Sequence, residues 1–532
     1  MTAETVTLPQ QSAGRDISPS SADSPADEAA GRGLWGHVLR RCVLVPLIVL
    51  TPLLGVAPRG DHRFNIYWHG GMFLDHPLRI VSHTIGTGET YLRLGNFRPL
   101  GRMLEKALDT LVLVGAEQLH LSPAIMLRVV TAGAAVLLTL ALVIFAESLL
   151  TRGPLFGSAP SLVALLLPYA VAGAFVAAGR NSTTTLFGGL YLSTTAVVLL
   201  VAAATCRLER LRWWHAVLAV TTGGALAVVN EPAYFAVPLA TVAVLVRGWF
   251  VTGRRGRDLL RSAGVRLAVL LWAGFLPVFG IVRWIIRGYC ADGGCYHGSD
   301  IAVDGRSLLI MPARMLAWLP PAQWEAATAK TPGDWLWGVV PLVGLGLIAL
   351  LGLRTIKALK RVKRPGAGSL TGLAIAAAAL LVFGALPAAL SVEVHDYFDM
   401  RALLTEGWRD SAVTAPAGML LALAVALLIT RRSFVPVLLG VFVMCAAVSA
   451  TANRAYADAS ASWASSQLDN RIAQSVGGFE RSTAGNARRC ALLTEALREL
   501  SGEPARQKRL TESLDAAAHA LAGVPYCAGG SR

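Results

Sequence analysis

The feature that most constrains this chain is the absence of charge from its long apolar stretches. Residues 132–145, 161–178 and 370–390 contain no Asp, Glu, Lys or Arg. Over all 532 residues, 54% are hydrophobic and only 15% are charged. A soluble domain cannot bury so much apolar sequence, and in lipid the backbone must satisfy its own hydrogen bonds. The sequence therefore predicts an all-α, polytopic membrane protein.

Eleven apolar segments approach the roughly 20 residues that a helix needs to cross a bilayer. They are 41–57, 124–149, 160–178, 184–206, 213–229, 232–246, 267–286, 336–353, 370–391, 413–430 and 433–450. Basic residues concentrate in the short connections, which the positive-inside rule assigns to the cytoplasm. The net charge of +15 therefore indicates membrane orientation, with the lipid bilayer and no nucleic acid as partner. We expect a plasma-membrane protein with a cytoplasmic N-terminus and an extracytoplasmic C-terminus.

Three regions are predicted along the chain. Residues 1–40 form a disordered cytoplasmic tail, because the first part of the chain is polar and nearly free of large apolar side chains. Residues 41–450 form the transmembrane domain. Its outer loop, 58–123, carries basic residues but exceeds the length for which the positive-inside rule holds, and a helix over 103–121 is expected to lie along the membrane surface. Residues 451–532 form a small extracytoplasmic helical domain.

The cysteines give an independent indication of sidedness. Cys290, Cys295, Cys490 and Cys527 all fall in segments assigned to the outer side. An even number of cysteines in an oxidising compartment is typical of disulfides. The favoured pairs are Cys290–Cys295 and Cys490–Cys527, and the alternative is four free thiols.

The densest cluster of functional side chains begins directly after the first span. Asp61 is placed to act as a general base on an acceptor that arrives from outside, and Asp75 is a second candidate for that role. Arg63 and Arg98 are placed to hold a phosphate through charge-assisted hydrogen bonds. The alternative is that Asp61 caps a turn and that the arginines anchor to lipid headgroups.

Two further residues are candidates for substrate binding. Glu231 lies at the tip of a hairpin with two short limbs, which would hold its carboxylate below the outer membrane surface. A simple turn with a solvated Glu explains that segment equally well. His395 belongs to a polar cluster just outside the ninth span, where a solvated loop is the simpler explanation.

No cofactor is predicted, and a divalent metal is compatible with the sequence but not indicated by it. Four histidines, at positions 62, 69, 76 and 83, recur every seven residues. Gly70-Gly71 and Pro77 are expected to interrupt any continuous helix, so this spacing carries little geometric meaning.

The sequence resembles the GT-C superfamily of integral-membrane glycosyltransferases. Members typically place an acidic residue soon after the first span, and many bacterial members have an Arg-Pro-Leu element further along the same loop. Asp61 and Arg98-Pro99-Leu100 match those positions. Many members have two adjacent acidic residues, whereas His62 follows Asp61 here. The resemblance implies transfer of a sugar from a polyprenyl-phosphate donor to a glycan or other cell-envelope acceptor on the outer face.

Two other classes compete with this interpretation. A secondary transporter usually needs ionisable residues buried within its spans, and this chain has only Arg128, Glu147 and Arg283 near the span ends. The other class is a non-catalytic membrane protein that binds an envelope partner through its outer domain. Such a protein would not need the polar cluster after the first span.

Overall fold

The computed structural model describes residues 25–291, 295–296, 300–329, 339–399 and 406–529. Twenty-two α-helices follow one another along these residues. They are α1 (Pro25–Leu50), α2 (His62–Phe73), α3 (Arg79–Gly86), α4 (Gly88–Arg93), α5 (Pro99–Leu119), α6 (Pro123–Leu150), α7 (Leu162–Ala172), α8 (Gly188–Arg207), α9 (Trp213–Leu226), α10 (Ala236–Val246), α11 (Gly256–Leu260), α12 (Ala263–Tyr289), α13 (Gly305–Leu316), α14 (Pro320–Thr328), α15 (Val339–Leu359), α16 (Ala367–Leu390), α17 (Val392–Asp399), α18 (Ser411–Ile429), α19 (Val435–Ala461), α20 (Ala464–Gly477), α21 (Thr483–Glu499) and α22 (Pro504–Ala522). Within these ranges the sole β-type pairing is an isolated bridge between Ile301 and Ser391. The predicted all-α class is confirmed.

Nine helical segments of the described residues are long and apolar enough to cross a membrane. They are Gly31–Leu53, Pro123–Leu150, Gly188–Arg207, Glu231–Val251, Ala263–Tyr289, Leu342–Leu359, Ala367–Leu390, Ser411–Ile429 and Arg432–Ala461. The protein is therefore a multi-pass membrane protein. The expected count of eleven is not reached, because the segments 160–178 and 213–229 contain helices of only 11 and 14 residues.

The chain after α7 shows why one predicted span is not a full helix. α7 ends at Ala172, and the buried residues 175–178 that follow lie outside any helix. The Asn453 side chain supplies hydrogen bonds to this non-helical backbone. Its Oδ1 accepts from the Ala177 amide, and its Nδ2 donates to the carbonyl oxygens of Phe175 and Val49. Non-helical backbone is tolerated inside a membrane protein where other protein groups satisfy it.

The basic connections meet at one end of the helical bundle. The Arg247 guanidinium donates to the carbonyl oxygens of Cys206 and Thr151, and the amide of Leu162 donates to the Lys363 carbonyl. The long polar segments meet at the opposite end, which we call the polar end. There, for example, the amide of Gly407 donates to the Ala178 carbonyl.

At the polar end, α2 lies between α5 and α22. The sequence-based expectation that Gly70-Gly71 interrupts a helix is wrong, since α2 continues through both residues. Their small size serves close packing instead. A Cβ at Gly70 would lie 2.7 Å from the Cβ of Leu113, and one at Gly71 would lie 2.3 Å from the carbonyl carbon of Ala516.

The three C-terminal helices share one apolar core with α2 and α5. Phe64, Tyr67 and Leu113 pack in the same cluster as Leu468 and Leu514. Residues 451–532 therefore do not have a core of their own, and α19 runs across the boundary predicted at residue 450.

At the other terminus, the structure differs from the predicted tail. The sequence-based prediction assigned residues 25–40 to a disordered tail, but these residues belong to α1. The Ala-rich segment 26–30, Ala-Asp-Glu-Ala-Ala, favours a helix there. Residues 1–24 lie outside the described residues.

The structure contains both disulfides favoured from the sequence. Cys290 pairs with Cys295, and a Cβ added at Gly95 would lie 3.1 Å from the Cys290 Sγ. Cys490 of α21 pairs with Cys527, which follows α22. Both bonds lie at the polar end. Cys42 and Cys206 are free and buried, and Cys445 is free and half-buried.

Candidate functional site

A cleft of about 1280 Å³, which we call the polar cleft, opens at the polar end. Helices α2 and α5 contribute the polar side chains of one wall, among them His69 and Glu105. Tyr191 of α8 lines another part, and α22 adds Arg509 and Glu512. The C-terminal segment is therefore part of the cleft.

Two matching rows of polar residues join α2 to α5. His62, Asn65 and His69 follow at i, i+3 and i+7, so they share one face of α2. Arg102, Glu105 and Asp109 have the same spacing on α5. The Nδ2 of Asn65 donates to Glu105 at 2.9 Å, and Nη1 of Arg102 donates to the same carboxylate at 2.8 Å. One helical turn further along α2 and α5, His69 forms a hydrogen bond with Asp109.

Asp109 is a buried carboxylate between two imidazoles. Its Oδ2 lies 2.7 Å from Nδ1 of His69, and its Oδ1 lies 3.8 Å from Nδ1 of His62, which is beyond hydrogen-bond distance. Burial raises the pKa of the Asp109 carboxyl, but the two neighbouring imidazoles outweigh burial and hold the pKa below its usual value. Asp109 is therefore an anion inside the protein, and it favours a proton on the histidine nitrogen that faces it.

Lys106, one turn before Asp109, is also buried. Its Nζ donates to Oγ1 of Thr84 at 2.9 Å and lies 3.0 Å from Nδ1 of His83. Burial lowers the pKa of Lys106 to about 8, and the nearby Arg102 lowers it further while Glu105 opposes this. These contacts hold α3 against α5.

Arg98 and Glu231 form an ion pair at the inner end of the polar cleft. Nη1 of Arg98 lies 2.9 Å from both carboxylate oxygens of Glu231. The pair forms because α5 begins directly against the segment before Glu231: the Leu100 amide donates to the Val228 carbonyl, and a Cβ at Gly101 would lie 2.0 Å from the Val229 carbonyl oxygen. The Glu231 side chain is 42% accessible and lines two neighbouring cavities.

A second cavity of about 1490 Å³, the apolar cavity, continues from this ion pair. It separates α12 from the end of α16 and is lined mainly by apolar side chains, including Phe279 and Leu386. Arg283 of α12 also lines it, with its guanidinium carbon 5.3 Å from the centre of the Phe279 ring. Arg98 and Tyr296 line both this cavity and the polar cleft. The two spaces thus meet at Arg98.

Arg409 adds a second cation to the junction. It lines the polar cleft, and its Nη2 donates to the Tyr296 hydroxyl at 3.2 Å and to Glu393 at 3.5 Å. The neighbouring Asp410 is held by the buried Arg314, whose Nε and Nη2 donate to its carboxylate at 2.9 and 2.6 Å. This buried pair fixes the segment that carries Arg409.

Three of the residues predicted from the sequence lie at these cavities. Arg98 and Glu231 form the junction, and Asp61 lies on the wall of the polar cleft. The Asp61 side chain makes no capping hydrogen bond to α2, and its Oδ1 instead lies 3.3 Å from Nη1 of Arg509.

The other three predicted residues do not line the polar cleft or the apolar cavity. Asp75 is exposed in the connection between α2 and α3. Arg63 is held by two carboxylates of the C-terminal helices, with Nε 2.7 Å from Asp469 and Nη2 2.8 Å from Glu499. His395 is buried with its Nε2 2.8 Å from the Ala389 carbonyl oxygen, so it fixes α17 to the end of α16.

The sequence-based reasoning missed Glu105, Asp109 and Arg409. The first two could have been found from the shared i, i+3, i+7 spacing of polar residues on two apolar helices. Arg409 had no such signal, because only the fold brings it beside Arg98.

Among the described residues, no three His, Cys, Asp or Glu side chains are grouped so that they could hold a metal ion. No known family model, curated protein or solved structure matches this chain. The fold and the site therefore define a multi-pass helical membrane protein with a polar cleft and an apolar cavity that meet at an arginine.

Proposed function

We propose that the protein is a membrane glycosyltransferase of the GT-C type, which transfers a sugar from a polyprenyl-phosphate carrier to a glycan or other cell-envelope acceptor. The observation that carries this proposal is the position of Arg98. Its side chain lies where a polar cleft and an apolar cavity meet. A polyprenyl-phosphate sugar has the same three-part order: an apolar chain, a phosphate and a polar sugar.

The apolar cavity suits the isoprenoid chain. Its walls come from the apolar faces of α12 and α16, which are among the helices long enough to cross a membrane. Burying such a chain contributes about 25 cal/mol for each Å² of apolar surface removed from water. The chain would enter between these helices, and its phosphate would reach the junction.

Cations at the junction suit the phosphate. Among the residues that the structure describes, the hydrogen bonds of the Arg98 guanidinium involve Nη1 and Glu231, so its other N–H groups are proposed as donors to the phosphate. Arg409 and Arg283 lie beside the same cavities. Such groups stabilise the negative charge that grows on a leaving phosphate oxygen.

The polar cleft suits the sugar and the acceptor. Trp68 and Tyr91 supply aromatic faces, and Asn65, Asn96 and Glu512 supply hydrogen-bonding groups. The reaction is an inverting displacement at the anomeric carbon, in which a base takes the proton of the acceptor hydroxyl. Asp61 and His69 both line this cleft and are the candidates for that base.

We place the polar end on the extracytoplasmic side of the plasma membrane. The support is the concentration of basic connections at the opposite end, which the positive-inside rule assigns to the cytoplasm. The two disulfides at the polar end agree with an oxidising compartment. The N-terminus is then cytoplasmic.

The test is a transfer assay with the purified full-length protein in lipid. Synthetic polyprenyl-phosphate sugars are supplied with a glycan acceptor, and the released polyprenyl phosphate and the extended glycan are measured. We expect both products in equal amounts. If no donor is consumed, the proposal is wrong, and the non-catalytic membrane protein that binds an envelope partner becomes the better interpretation.

A further inference from the structure

The His69–Asp109 pair is the most specific polar arrangement at the polar cleft. Asp109 belongs to α5 and His69 to α2, and both are buried. The 2.7 Å contact joins Oδ2 of Asp109 to Nδ1 of His69. Because Asp109 is an anion, the proton between them resides on Nδ1, and the other ring nitrogen, Nε2, carries the lone pair.

Nε2 of His69 is left for a ligand. Among the residues that the structure describes, no hydrogen bond involves this nitrogen, although His69 lines the polar cleft. His62 provides an internal contrast on the same helix. Its Nε2 accepts a hydrogen bond from the Phe187 amide at 2.8 Å, so its lone pair is already engaged.

Asp61 is less suited to accept a proton. Its carboxylate is 55% exposed, and its Oδ1 already lies 3.3 Å from the guanidinium of Arg509, so among the described residues it has no partner that would orient it toward an acceptor hydroxyl. The arrangement at His69 is the opposite. A carboxylate behind an imidazole fixes its tautomer and stabilises the imidazolium that forms when the ring accepts a proton.

We propose that His69 is the proton acceptor of the transfer reaction and that Asp109 is the residue that positions it. The inference rests on the proposed function. As the acceptor oxygen bonds to the anomeric carbon, the bond from that carbon to the phosphate oxygen breaks. The electron pair leaves with the polyprenyl phosphate, and the acceptor proton passes to Nε2 of His69.

The first measurement concerns the ring itself and needs no activity. Diethyl pyrocarbonate forms a covalent bond with an unprotonated imidazole nitrogen, and mass spectrometry of the treated full-length protein locates the adduct. We expect His69 to react faster than His62. Equal protection of both residues would overturn the inference, because Nε2 would then not be open to the cleft.

The second measurement is the transfer assay with variants. A positioned base contributes about 10²–10⁴-fold in rate, so His69→Gln should lower kcat at least a hundredfold with little change in the donor KM. His76→Gln is the matched control, because His76 is exposed and outside the cleft. Asp61→Asn should lower kcat less than tenfold. The reverse order of these two effects would return the role of base to Asp61.

The variant Asp109→Asn tests whether Asp109 positions His69. The readout is the pH–rate profile, which a purely structural role of Asp109 would not change. Without the carboxylate, the imidazolium loses its counter-charge, so kcat should fall and the acidic limb of the pH–rate profile should move to lower pH. The titratable and charged groups of the elements packed around His69 are Asp109, Lys106, Glu105 and Arg102 of α5, His62 of α2, His83 of α3, Asp61, and Arg509 and Glu512 of α22. An unshifted acidic limb would contradict the role of Asp109.

The outcomes separate this inference from the proposed function. If the wild-type protein transfers sugar and His69→Gln does so equally well, only the assignment of the base fails. If the wild-type protein consumes no donor, the proposed function fails with it, whatever the reactivity of His69. If His69→Gln is less thermally stable than the wild type, His69→Asn replaces it in the transfer assay. The diethyl pyrocarbonate measurement uses the wild-type protein and does not depend on either variant.

Discussion

At the scale of single residues, the polar end is held together by ion pairs and hydrogen bonds between charged or polar side chains of different segments. Arg98 pairs with Glu231, Arg509 with Asp61, and Asp109 with His69. Each pair joins segments that are far apart in sequence, so each also fixes the relative position of two segments. A charge that is buried without such a partner is strongly destabilising.

The role of Arg98 in donor binding can be tested by substitution. Arg98→Ala should raise the donor KM by about 10- to 100-fold, because a hydrogen bond to a charged group contributes roughly 1.5–3 kcal/mol. Arg93→Ala is a suitable control, since Arg93 pairs with Glu89 on the exposed surface, where such pairs contribute little. Steady-state kinetics with a polyprenyl-phosphate sugar supply both values. A donor KM that does not change would remove Arg98 from the phosphate site.

At the scale of helices, α2 organises the polar end. It contacts α5 through the pairs Asn65–Glu105 and His69–Asp109, and it contacts α22 through the close approach at Gly71. A movement of α22 would therefore alter the wall of the polar cleft.

The contact of α2 with α22 predicts the effect of Gly71→Ala. The added Cβ would lie 2.3 Å from the backbone carbonyl carbon of Ala516, which cannot move as a side-chain end can. Overpacking of this kind typically costs about 1–3 kcal/mol. We expect a lower thermal midpoint and faster proteolysis within α22. Gly133→Ala is the control, because no atom lies within 4 Å of the added Cβ, and equal behaviour of the two variants would contradict the prediction.

Asp469 of α20 predicts a dependence of stability on pH. Burial raises the pKa of its carboxyl from 3.8 to about 7, and Glu499 also raises it, although Arg63 and Arg59 oppose the shift. Between these pKa values the folded protein holds a proton that the unfolded chain has released, so stability should fall as pH rises from about 4 to about 7. Above pH 7 this contribution should stay constant.

The comparison of wild type with Asp469→Asn isolates this residue, because the amide does not titrate. We expect the thermal midpoint of the wild type, relative to that of the variant, to decrease between pH 5 and pH 8 in detergent. A difference that is constant or increases over this range would show that Asp469 is ionised throughout.

At the scale of the whole molecule, the two ends of the bundle differ in chemistry. One end gathers the short basic connections, and the other gathers the polar cleft, both disulfides and helices α20–α22. A membrane protein with this asymmetry inserts in one orientation, because basic residues near helix ends are retained on the cytoplasmic side.

Sidedness is tested by cysteine labelling in intact cells. Ser501 lies at the polar end and Ser158 at the basic end, and both are exposed. A membrane-impermeant maleimide should label Ser501→Cys in intact cells and label Ser158→Cys only after lysis. Labelling in the reverse order would invert the proposed orientation.

Local composition predicts the class of protein and much of its layout. Stretches without charge, such as 132–145 and 370–390, favour helices in lipid, because a helix satisfies all the backbone hydrogen bonds of its own segment. The pairing of Cys490 with Cys527 was also favoured from the sequence, because both lie in one segment assigned outside. Local composition was sufficient for these features.

Which polar residues form the site depends on contacts between segments that are distant in the sequence. Asp75 and His395 were predicted from the sequence as site residues, but they lie outside the polar cleft. Asp109 and Arg409 are equally polar and line cavities at the polar end, but they were not predicted. Likewise, the non-helical backbone after α7 is satisfied by Asn453, which lies 276 residues from Ala177 in the sequence. A periodic pattern, such as the one that includes Glu105 and Asp109, shows which residues share a helix face, but it cannot show which charge will meet which partner.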